Sequence, residues 1–110
     1  MGRFEDPIAA RDILAAAGAG DEWALGALYR EHQPALLQFL WGLVGPSAED
    51  VATETWIATA RALRRFHGDE RAFRRLLFTI GRRRSVDHFR AIARRRVVLF
   101  RPDRIPELRA

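Results

Sequence analysis

The sequence predicts an all-α fold, a compact bundle of about four helices that ends in a long basic helix. Three observations carry this expectation. Apolar residues recur at helical spacing in segments divided by glycine and proline. The 110 residues contain no alternating run of β-branched residues and no hairpin turn. The stretch from Phe66 to Arg96 places apolar and cationic residues on opposite sides of one helix. A hydrophobic share of 48% with a charged share of 30% fits a folded chain, and the length fits one domain with a modest core.

Asp6-Pro7 opens the first helix: a capping residue, then proline at the first helical position, where its missing N–H costs nothing. The alanine-rich run from Ile8 to Ala17 carries Ile8, Ile13 and Leu14, and Gly18 and Gly20 end it. Asp21 caps the second helix, which continues through Trp23, Leu28 and Tyr29. Pro34 is expected to kink this helix or to start a new segment, because it removes a backbone donor and crowds the preceding turn. Leu36, Leu37, Phe39, Leu40, Leu43 and Val44 read as core, ended by Gly45-Pro46. Ser47-Ala48-Glu49-Asp50 is a capping-box-like start for the third helix. On that helix Ala52, Trp56, Thr59, Leu63 and then Phe66 lie within about 60° of one another and form a core stripe. The other side carries Asp50, Thr53, Glu54, Ile57 and Arg61. An isoleucine among acids is compatible with a protein contact, although single exposed apolar residues are common.

Gly68 breaks the third helical pattern, and Asp69 can cap the long helix by accepting a hydrogen bond from a first-turn amide. Phe73, Leu77, Ile80, Gly81 and Ala91 fall on one broad face of it; Arg71, Arg75, Arg82, Arg83, Arg90 and Arg94 fall roughly opposite. Most charged helix faces are only solvated. Here Glu70 and Asp87 are the sole, partly offset acids, so the arginines repel one another more than they pair. Arginine also binds phosphate through a rigid fork of donors, which favours a nucleic-acid contact. Arg84 and His88 fall near the core side, so Arg84 is expected to be half-buried and paired with an acid from another helix. Val97-Val98-Leu99-Phe100, followed by Pro102 and Pro106, reads as a linker or as a tail packed back on the domain.

The net charge of +5 hides a division. Residues 1–60 carry three arginines against nine acids, a net −6; residues 61–110 carry sixteen arginines against five acids, a net +11. Two surfaces with two kinds of partner are the expectation, one of them an anionic polymer. There is no cysteine, so disulfide and thiolate chemistry are excluded, and His32, His67 and His88 make no zinc spacing. No signal-peptide pattern opens the chain and no apolar run reaches the ~20 residues of a membrane span, so a cytoplasmic protein without membrane insertion is expected. Gly18-Ala19-Gly20 is no phosphate loop, Ser47 and Ser85 sit in no nucleophile pattern, and adjacent Asp87 and His88 point about 100° apart on a helix. No enzyme activity and no cofactor are expected.

The order GDEWALGALYREH, PALLQFL, AEDVATETWIATARALRRF and HGDERAFRRLLFTIGRRRSVDHFR resembles region 2 of bacterial extracytoplasmic-function (ECF) sigma factors, in the sigma-70 family. The resemblance covers roughly Ala19 to Arg96. It implies a helical region 2 domain over residues 1–96 and the start of an interdomain linker over 97–110, with the −35-reading domain absent. The chain is then expected to be a fragment of a longer protein rather than a single-domain relative.

The resemblance implies two sets of site residues. In the family the third helix docks on the clamp-helix coiled coil of the RNA polymerase β′ subunit, which assigns core binding to Asp50, Thr53, Glu54 and Ile57. The family's long helix and preceding turn open the promoter −10 element and capture a flipped base of the non-template strand. That assigns DNA binding to His67, Asp69, Arg71, Arg75, Leu76, Arg82, Arg83, Arg90 and Arg94, with the turn from Phe66 to Arg71 as part of the pocket. Three positions depart from the family's pattern. Thr53 replaces a glutamine, Leu76 a frequent tryptophan, and Arg83 a frequent asparagine or histidine facing the captured base. Leu76 cannot stack as an indole would, whereas Arg83 can stack by its guanidinium plane or bind guanine bidentately, so an altered −10 preference is expected. An anti-sigma factor is a further partner that the resemblance implies. A competing reading is a basic helical module that binds RNA or duplex DNA by charge and does not engage polymerase; it needs the arginines but not Asp50, Glu54 or Ile57. Another is a purely protein-binding domain whose two surfaces an anti-sigma factor masks.

Overall fold

The computed structural model describes the backbone of residues 7–99 and the side chains of residues 12–98. Four helices follow one another: α1 (Pro7–Gly18), α2 (Glu22–Val44), α3 (Ala48–Ala62) and α4 (Glu70–Leu99). Short 3₁₀ turns at Gly45–Ser47 and Leu63–Arg65 follow α2 and α3. No strand occurs among the described residues, so the all-α expectation holds. Asp6, expected as the first cap, and the tail from Phe100 to Ala110 lie outside the described residues. Among the described residues no helix is long and apolar enough to cross a membrane.

The central helix is α2, which packs against the other three. The core takes Ile13, Leu14 and Ala17 from α1, Leu28, Leu36 and Leu40 from α2, Val51, Ala52 and Trp56 from α3, and Phe73 and Leu77 from α4. At 100° per residue each set falls on one side of its helix, one buried stripe per helix. The third-helix stripe is buried as the wheel predicts: Ala52, Trp56, Thr59 and Leu63 are core, and Phe66 packs against it. Buried Thr55 and Thr59 donate to the carbonyls of Val51 and Thr55 at 2.8 and 2.7 Å, so neither hydroxyl is left without a bond.

Several local expectations are corrected. Pro34 starts no new segment, and the helix runs through it. Pro34 and Arg30, whose carbonyl loses its usual amide, are both exposed, so water can take that bond while buried His32 and Leu36 hold the helix on the core. Asp21 occupies the N-cap position of α2 with extended backbone, but its side chain makes no capping hydrogen bond. Ser47 makes none either, because the 3₁₀ turn gives it φ −83° and ψ 3° rather than the extended backbone a capping side chain needs. Glu49 and Asp50 in the first turn of α3 still suit the positive end of its dipole. The long helix passes Arg96 and reaches Leu99, and Val97 and Val98 are exposed within it rather than packed back on the domain.

Candidate functional site

Two exposed faces stand on this frame. The first belongs to α3, where Asp50, Thr53, Glu54, Ile57 and Arg61 are all exposed. Ile57 is 52% accessible, so it offers apolar area between acids. The Thr53 hydroxyl donates to the Glu49 carbonyl at 3.1 Å, which leaves it only its acceptor capacity toward a partner. The opposite side of α3 fixes the face. Trp56 donates from Nε1 to Gln33 Oε1 at 2.6 Å, and its ring lies 5.4 Å from that of Tyr29.

The second face belongs to α4 and the turn before it. Asp69 Oδ1 accepts a hydrogen bond from the Ala72 amide at 3.0 Å, so the predicted cap is formed and its carboxylate serves the helix start. Phe73, wholly buried, anchors this end: its ring lies 5.2 Å from His32 and 6.4 Å from both Trp56 and Phe66. Gly81 lets α4 lie close to its neighbours, since a methyl there would stand 3.3 Å from Leu36 Cδ1 and 3.7 Å from Thr55 Cγ2. With that side buried, Arg71, Arg75, Arg82, Arg83, Arg90 and Arg94 are all exposed on the other. Leu76 is half-buried and His67 exposed. Arg84 is half-buried, but its partner is Asp87 of the same helix at 3.8 Å, not an acid from another element. The expectation failed because the spacing of three residues already brings these two side chains together.

Burial first, and Arg74 second, lower the His32 pKa to about 4, so this histidine is neutral at physiological pH. The Glu70 carboxylate, 3.8 Å away, therefore meets an uncharged ring. Burial and the nearby Glu31 raise the Glu70 pKa.

Beside the turn lies an open cleft of about 380 Å³, walled by α1 at Leu14, Ala15 and Gly18 and by the turn at Arg64, Phe66 and His67. Sequence reasoning found the turn but missed the α1 wall and Arg64. Nothing in the sequence signals which helix packs there; the position of Arg64 just before the turn was the one available sign. It also missed the Gln33–Trp56 bond, which joins residues far apart in sequence.

The chain matches the family model of sigma-70 region 2 over residues 28–96. The chain belongs to the sigma-70 region 2 family. The match begins within α2 and takes in α3, the turn and most of α4, so both faces lie inside it. A relative in Streptomyces coelicolor, the ECF RNA polymerase sigma factor BldN, is 30% identical over 82 residues, covering 73% of this chain and 31% of the relative. The chain thus spans about a third of that relative's length. No solved structure matches the chain. The resemblance read from the sequence agrees with both matches. In this region 2 domain the acidic face and the arginine face belong to consecutive helices, α3 and α4, packed directly on each other.

Proposed function

We propose that this domain serves an RNA polymerase sigma factor of the ECF class, binding core polymerase through α3 and the promoter −10 element through α4. The observation that carries the reading is the pairing, within one sigma-70 region 2 domain, of an exposed acidic α3 face with an exposed arginine α4 face. Asp50, Glu54 and Ile57 meet the β′ clamp helices, with Thr53 as a weaker polar contact. The arginines draw the non-template strand by its phosphates, and the turn with its cleft receives one base taken out of the stack. Extraction costs a few kcal/mol, offset by contacts in the cleft. Arg83 reads a base and Leu76 supplies apolar contact without stacking. The work is binding and strand capture, without enzyme activity or cofactor, in the cytoplasm, and an anti-sigma factor that covers both faces would silence it. Residues 1–96 form the working domain and 97–110 lead toward a linker.

The test is binding of the chain to an isolated β′ clamp-helix fragment, with Asp50→Arg/Glu54→Arg as the control. Binding by the wild type that is lost in the double variant, both remaining helical by circular dichroism, is the expected result. A folded wild type that does not bind the fragment would leave a basic helical module that contacts nucleic acid by charge alone.

A further inference from the structure

Among the described residues the last buried side chain of α4 is Ser85; from Val86 to Val98 each is half-buried or exposed. This end of the helix, about 20 Å at the usual rise, places no described side chain in the core. It is nevertheless amphipathic. Taking 100° per residue, Ile92, Phe89, Ala93, Val86 and Val97 occupy one arc of about 140°. The opposite arc holds Arg84, Asp87, His88, Arg90, Arg94 and Arg95, with Ala91 and Val98 between them. Phe89 is 51%, Val86 41% and Val97 64% accessible, so the apolar arc is uncovered. The steps Val86, Phe89, Ala93, Val97 are three, four and four residues, the seam along which one helix packs on another. A phosphate backbone has no use for such a seam, since it rewards cations and not valine.

From this arc we infer a docking surface for an acidic amphipathic helix of a partner protein. Charge selects the occupant. Arg82 and Arg96 lie within the arc and Arg90 at its edge, all exposed. A second copy of this chain would set these arginines against their own counterparts, which opposes pairing. A helix with apolar residues at the same spacing and Glu or Asp on its flanks buries the seam and pairs the arginines together. Such a partner covers Arg82 and Arg90, so it and the −10 strand exclude one another; that consequence alone rests on the function proposed above.

The test uses the 110-residue chain, without DNA, and two synthetic peptides. One carries Leu at the a and d positions and Glu at e and g over about three heptads. The other has the same composition in scrambled order. Fluorescence anisotropy at physiological salt should show the patterned peptide binding at least about tenfold more tightly than the scrambled one. In Phe89→Ser/Val97→Ser that preference should disappear with the thermal midpoint unchanged, because both residues are exposed and every arginine is kept. Equal binding of the two peptides would reduce the surface to charge and overturn the inference. So would a preference that survives in the double variant. A wild-type dimer in sedimentation equilibrium that the double variant abolishes would overturn it as well, by making a second copy the occupant.

Discussion

His32 shows what a single residue owes to the fold. The sequence offers three histidines without metal spacing and no means of ranking them. In the structure His32 is buried against Phe73 and its pKa falls from 6.5 to about 4, from burial first and Arg74 second. Between those values the unfolded chain binds a proton that the native chain refuses. Stability is therefore full above about pH 6.5 and is lost as pH falls toward 4, by on the order of 3 kcal/mol if the whole shift is realised. The raised pKa of Glu70 works the other way: the native state holds its proton longer, so stability falls as pH rises from 4.5 through the folded value. The comparison that isolates the histidine is wild type against His32→Leu, by thermal unfolding between pH 4 and pH 7. The wild-type midpoint should climb more steeply with pH than that of the variant; parallel curves would refute the assignment. Asp69 makes the converse case. Its capping role was legible because a cap needs only a carboxylate beside a helix start, and the bond to Ala72 bears it out.

At the scale of elements, the periodic stripes were legible because period alone decides them, whereas local punctuation was overridden by packing. Pro34 reads as a kink or as the start of a new segment, yet α2 runs on through it because residues on either side are buried. Ser47 reads as a cap, yet the preceding 3₁₀ turn fixes its backbone otherwise. Gly18 reads as a helix stop, and the structure gives it a second task. A methyl at Gly18 would stand 2.7 Å from the Leu63 carbonyl oxygen, so this glycine is where α1 meets the turn after α3. That oxygen is backbone and cannot swing aside. Gly18→Ala should therefore destabilise the domain by about 1–3 kcal/mol, despite alanine's better helix propensity. Gly42, exposed within α2, has nothing within 4 Å of a built methyl. Gly42→Ala should stabilise by about 0.5–1 kcal/mol. Urea unfolding of the two variants checks the pair, and Gly18→Ala as stable as wild type would show that α1 docks loosely.

For the whole molecule, part of the charge division of the sequence becomes two faces on neighbouring helices: Glu49, Asp50 and Glu54 on α3, ten arginines on α4, and a shared core between them. Composition showed that division without its use, because a net charge says nothing about which arginines would, under the proposed function, meet phosphates and which would read a base. The salt dependence of binding separates the two roles. Each arginine that neutralises a phosphate of single-stranded DNA contributes about 0.7 to the slope of log affinity against log salt. Arg90→Ala and Arg94→Ala should each lower that slope by about this amount and weaken all sequences alike. Arg83→Ala, if Arg83 reads the captured base, should instead narrow the gap between preferred and altered −10 strands and change the slope less. Titrations of a short non-template strand and its single-base variants at several salt concentrations measure both quantities at once. An Arg83→Ala chain that keeps its base preference and loses slope as Arg90→Ala does would make Arg83 one more phosphate contact. The −10 preference would then have to come from the turn and its cleft.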